Sequence, residues 1–287
     1  MRQQDQSARV RGTRLAYRDS GTPETIGAPV PTFIWAHSLL ASMAQEDATG
    51  IFDWTPLQGQ ARVIRYDARG HGASSIGRDP RRQTWPELAS DLLGLLDVLG
   101  VREAVGGGAS MGCGTVLHAA CRAPGRFPAL VLALPPTAWR GRREQALLYR
   151  TVGLLAANPV IGIGVTSFSA VRKHLPARPR TPRRALISAG MDQFLRSPRW
   201  TVGPFYGAAL TDLPDEAQLQ ELSMPTLILA WSGDRMHPVP VAKRLHELLP
   251  HSELMIAGTD EDVLEWPKRV AEFLATLDGP GLPPAGS

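Results

Sequence analysis

One short run is built for chemistry. Gly108-Ala109-Ser110-Met111-Gly112 has the form G-x-S-x-G. It follows an apolar run, Arg102 to Gly107, and opens a segment with helical character, Met111 to Ala123. In a strand–turn–helix setting the glycines permit a tight turn that lifts the serine hydroxyl clear of a sheet. The helix that starts there points its positive end at developing negative charge. The bland alternative is a serine in a glycine-rich turn, and the strand before and helix after favour the nucleophile. A serine hydroxyl is a weak nucleophile until a neighbour takes its proton. The seven histidines therefore matter next, and so do the elements that carry them.

Those elements read as alternating strands and helices. Val10 to Arg18 alternates around Gly12 as an opening hairpin, and Pro31 to Ala36 and Ala61 to Tyr66 are short apolar strands. Thr84 to Leu99 reads as a helix with a Thr84/Glu87 capping box, Pro86 in its first turn and Gly100 as its stop. Ala129 to Leu134 is a strand ended by two prolines. After a long interruption come a strand at Pro225 to Trp231, a helix at Val239 to Leu249, a strand at Ser252 to Ile256 and a helix at Trp266 to Leu277. The pattern predicts an α/β fold with a mostly parallel central sheet covered by helices on both faces. It divides into a core, 1–136 and 224–278, an inserted helical cap, 137–223, over the carboxyl ends of the strands, and a loose Gly/Pro-rich tail, 279–287.

Composition narrows the function. Of 287 residues 43% are hydrophobic and 20% charged, enough for one sizeable core. The formal charge is +4, with a basic stretch from Arg172 to Arg184 that prolines interrupt and no aromatics interleave. It reads as a solvated surface segment rather than a nucleic-acid patch. The apolar window Thr151 to Phe168 contains Asn158, Pro159 and three glycines, so no membrane span is expected. Two cysteines, Cys113 and Cys121, allow no bridge framework and fit a reducing, cytoplasmic setting. No histidine or cysteine spacing suits a metal, and no cofactor is expected. High Arg, Ala, Gly and Pro usage points by association to a GC-rich bacterial source. The oligomeric state is not legible.

Four runs, in order, carry a resemblance: Phe33-Ile34-Trp35-Ala36-His37-Ser38, Tyr66-Asp67-Ala68-Arg69-Gly70-His71-Gly72, the serine turn, and Pro225 to Ala230 followed by Asp234 and Pro238. Together they resemble the α/β-hydrolase superfamily over nearly the whole chain apart from the cap. The resemblance implies an oxyanion hole formed by the Leu39 and Met111 N–H groups and an acid, Asp234, that orients a general base; a turn aspartate is the plainer role for Asp234. The chain also departs from the family. The expected late histidine lies five residues before Glu-x-Pro; here Glu265-Trp266-Pro267 places Asp260 at that position, and no histidine follows His251. Three residues remain as base: His237 on the Asp234 loop, His37 beside the oxyanion loop, and Asp260 as a carboxylate. Ser38, where the family has glycine, makes positive φ harder there and, with His37, is a candidate for lining the substrate pocket. His71 and His118 read as structural, and His174, His246 and His251 as surface residues.

The reading that follows is a serine hydrolase acting on a small-molecule ester, thioester or lactone with an apolar acyl part. Trp200 and Phe205, after the apolar window, suggest the acyl site, or ordinary packing of cap on core. The alternative is a fold of the same kind that has abandoned hydrolysis, as a cyclase, lyase or ligand binder in a biosynthetic pathway. A scaffolding role is a third.

Overall fold

The computed structural model describes residues 5–21, 30–75, 79–158, 198–234 and 236–277. The Arg172–Arg184 stretch, His174, the end of the apolar window and the tail lie outside these, as does the Trp200 side chain.

The chain runs β1 (Gln6–Val10), β2 (Thr13–Asp19), β3 (Thr32–Ala36), α1 (Met43–Thr49), β4 (Arg62–Tyr66), α2 (Trp85–Val98), β5 (Val105–Ala109), α3 (Met111–Arg122) and β6 (Leu130–Ala133). It continues through α4 (Arg142–Ala157), α5 (Pro198–Ala209), α6 (Glu216–Gln220), β7 (Thr226–Trp231), α7 (Val239–Leu248), β8 (Ser252–Ala257), α8 (Asp260–Leu264) and α9 (Trp266–Leu277). The eight strands form one sheet in the order β1-β2-β4-β3-β5-β6-β7-β8. The β1–β2 and β2–β4 pairs are antiparallel and every other pair is parallel. This is the expected α/β architecture, a mostly parallel sheet with helices on both faces.

Strand alternation distributes the core between the two faces. Ile34, Ile64, Leu132 and Ile228 pack with α2, α3 and α7. Their neighbours Phe33, Trp35, Val63, Val131 and Leu229 face the other way, against Phe52, Trp54 and α9. On that second face Trp35 lies 4.6 Å from Trp54, ring to ring, and Trp266 is fully buried.

The insertion between β6 and β7 contributes α4 and α5, which pack on each other and on the loop after β3. Tyr149, Phe205, Ala208 and Ala209 form a small apolar cluster with Leu40, with Leu39 beside it. Arg142 fastens the ends of this insertion. Its buried guanidinium donates to the carbonyls of Ala208, Thr211 and Thr137 and lies 4.4 Å over the Trp85 ring.

One local expectation fails. Thr84 is the N-cap of α2, but its side chain makes no capping bond; it donates to the Arg81 carbonyl at 3.1 Å. Glu87 pairs instead with Arg11 at 2.8 Å. The turn before α2 and the β1–β2 hairpin supply better partners than the helix end does.

Candidate active site

The serine sits on a strained turn. Ser110 joins β5 to α3 with φ 53° and ψ −108°, a conformation that costs a non-glycine residue about 1–3 kcal/mol. The flanking glycines are steric necessities. A Cβ on Gly108 would lie 2.4 Å from the Gly112 backbone, and one on Gly112 would lie 2.0 Å from the Ala36 carbonyl oxygen. The turn is held from below: the Ser110 N–H donates to the Ala133 carbonyl at 3.0 Å, and the Cys113 thiol donates to Gly108 and Ala133 at 3.1 and 3.0 Å. Burial keeps that thiol protonated, well above its ordinary range.

The loop after β7 reaches over this turn. His237 Nδ1 lies 2.6 Å from Asp234 Oδ2, and His237 Nε2 lies 2.7 Å from Ser110 Oγ. A carboxylate only accepts, so Nδ1 carries a proton, and Nε2 is placed to accept a hydrogen bond from the serine O–H. The other Asp234 oxygen accepts the Met236 N–H at 2.8 Å, which folds the four residues back on themselves. Burial would raise the Asp234 pKa, but the His237 bond and charge together with the Met236 N–H hold it below the usual carboxylate range.

The other candidate bases stand elsewhere. His37 is buried, and backbone groups engage both of its ring nitrogens: the Ala68 N–H donates to Nε2 at 2.9 Å, and Nδ1–H donates to the Ser38 carbonyl at 2.7 Å. Asp260 opens α8, a short helix whose N-cap Thr259 forms a capping box with Asp262. Among the described residues no hydrogen bond joins Asp260 to Ser110 or His237. His71 is buried against the Arg69 carbonyl, His118 is half-buried against that of Asp212, and His246 is exposed.

On the oxyanion side, the left-handed residue is Leu40, at φ 60°, rather than Ser38. The Ser38 position therefore needs no glycine. No acceptor among the described residues takes up the N–H of Leu39 or of Met111. Sequence reasoning passed over Asp67, whose carboxylate accepts the Met43 N–H and the Ala73 N–H at 2.8 Å each. The signal was the Tyr66–Gly72 run itself: Gly72 has φ 50°, and a Cβ there would lie 2.0 Å from Asp67 Oδ2. Among the described residues no cluster of His, Cys, Asp and Glu could hold a metal, and no helix is long and apolar enough to cross a membrane.

A family model described as alpha/beta hydrolase fold matches residues 31–267. The chain belongs to that family. Among α/β hydrolases of known activity, it is 27% identical over 250 residues to 3-oxoadipate enol-lactonase 2 of Acinetobacter baylyi, covering 84% of this chain and 88% of that one. The same organism's 3-oxoadipate enol-lactonase 1 is 26% identical over 195 residues, 63% of this chain and 66% of the other. Among solved α/β-hydrolase structures, a hydrolase from Pseudomonas aeruginosa superposes with a TM-score of 0.71 at 26% identity, covering 96% of this chain and 98% of that chain. A thermophilic esterase from Thermogutta terrifontis, at TM-score 0.70 and 22% identity over 96% of this chain and 100% of the other, shares the fold.

Proposed function

We propose that the protein is a serine hydrolase of esters or lactones that works through an acyl-enzyme. Ser110 attacks the carbonyl carbon while His237 Nε2 accepts its proton. The N–H groups of Leu39 and Met111 hold the oxyanion, and Asp234 keeps His237 in the Nδ1–H tautomer and balances the imidazolium that forms. His237 then returns the proton to the leaving oxygen; in a lactone that oxygen stays tethered to the acyl group. Water activated by the same imidazole releases the product. α4 and α5, as part of a cap over residues 137–223, bring Tyr149 and Phe205 toward the oxyanion loop and favour an apolar acyl part.

The observation that carries this reading is the 2.7 Å contact between His237 Nε2 and Ser110 Oγ. It supports a base on the β7 loop in place of the late histidine whose absence motivates a non-hydrolytic reading. The two enol-lactonase relatives make lactones the first substrates to try. The test is turnover of aryl esters and enol-lactones by the wild type and Ser110→Ala, with fluorophosphonate labelling alongside. Turnover and labelling that both vanish in the variant support the proposal. Equal rates in the two proteins would remove it.

A further inference from the structure

The loop that follows β3 is pinned at both ends by the segment that follows β4. At its start the Ala68 N–H donates to His37 Nε2 at 2.9 Å, and at its end the Met43 N–H donates to Asp67 Oδ1 at 2.8 Å. Between these points Leu40 is buried beside Tyr149 and Phe205. The decisive detail is what His37 does with its remaining proton. Because Nε2 accepts, Nδ1 must donate, and it does so to the carbonyl of Ser38, the next residue, at 2.7 Å. The Ala41 N–H donates to that same oxygen at 3.0 Å.

The Ser38 carbonyl and the Leu39 N–H are two ends of one planar peptide. No described peptide bond is cis, so the two groups point in opposite directions. Two donors that fix the oxygen also fix where the N–H aims. We infer that His37 is a positioning residue for catalysis: by gripping the Ser38 carbonyl it orients the Leu39 N–H as an oxyanion donor. The inference rests on the serine-hydrolase reading above and assigns to a buried histidine a task beyond packing. It requires a neutral ring, since a proton on Nε2 would expel the Ala68 N–H. Burial, reinforced by the Arg65 charge, outweighs the Ser38 carbonyl and pushes the His37 pKa down to about 4. His71, whose ring centre is 5.0 Å away, is also held neutral by burial.

Two amide variants separate the two ring nitrogens. The side-chain NH2 of Asn takes the place of Nδ1 and keeps a donor for Ser38, whereas the longer Gln reaches the Nε2 position and serves only Ala68. The readout is the ratio of kcat/KM for p-nitrophenyl acetate to that for its thionoacetate. Sulfur accepts hydrogen bonds poorly, so this ratio reports the oxyanion donors, and it is independent of how much of a sample is folded. His37→Gln should lower the ratio about tenfold or more, mainly through kcat with KM little changed. That is a fraction of the roughly 10²–10³ expected when a donor is lost outright. His37→Asn should fall less, within about threefold of wild type by the same scale. A ratio unchanged in His37→Gln, or an equal fall in both variants, would overturn the inference while leaving the hydrolase reading intact. A wild type that hydrolyses neither ester would overturn both.

Discussion

The loops after β7 and β8 leave neighbouring parallel strands at the same edge of the sheet, yet they do different work. The first packs an acid and an imidazole into four residues, Asp234 to His237, and joins them to Ser110. The second, where the family resemblance led one to look for the histidine, winds into α8 behind a Thr259/Asp262 capping box. Its acidic residues serve the helix: Asp262 accepts the N–H groups of Gly258 and Thr259 at 2.9 Å each, which hold its pKa below the usual range. The difference teaches that a hydrogen-bonded chain of acid, imidazole and hydroxyl depends on position in space rather than on position in the chain.

The strongest way to break this comparison is to remove the imidazole from the first loop. His237→Ala should cost on the order of 10⁶-fold in kcat, about as much as Ser110→Ala, and the double variant should be no worse than either, because the pair acts as a unit. Steady-state turnover of an aryl ester measures all three, and a His237→Ala enzyme within tenfold of wild type would move the base elsewhere. Asp234→Asn should lose about 10⁴-fold, since an amide can no longer demand the Nδ1–H tautomer. Acid should act on the two buried histidines that follow β3 and β4. Burial holds His37 and His71 at about 4 and about 3, below the ordinary 6.5, so the unfolded chain binds more protons in that window. Stability should be full above pH 6.5 and fall as the pH drops toward 4, by on the order of 3 kcal/mol for His37 alone. Urea midpoints at pH 7.5, 6 and 4.5 would show the fall, and a flat series would contradict it. On the second loop the effects should be small. Thr259→Ala should cost about 1 kcal/mol of stability with kcat intact, and Asp260→Asn should change stability by less than about 0.5 kcal/mol, again with kcat intact.

Much of this was legible in the sequence, because the signals were local. Strands with β-branched and aliphatic runs, such as Thr226–Trp231, and the amphipathic α9 fell within a residue or so of their expected limits. Ser110 was legible because glycines on both sides are forced by contacts of 2.0–2.4 Å. The base was narrowed only to three residues, since the choice among His237, His37 and Asp260 depends on which loop bends toward the serine, and spacing along the chain carries no such information. Short α1 and α8 were missed because their periodicity spans too few residues to register. The Thr84 capping box was overcalled because the pattern cannot reveal that Arg11 competes for Glu87.

The pairing of acid and base within one turn has a further consequence. Among the described residues, every side chain joined to the Ser110 hydroxyl by hydrogen bonds, and both candidate oxyanion amides, fall between residues 39 and 237. The final stretch, from β8 through α9, supplies an outer strand and the buried Trp266, Val270 and Phe273. A lineage built this way is free to rewrite its carboxyl terminus, or to exchange it for another, so long as the replacement still fills that side of the sheet.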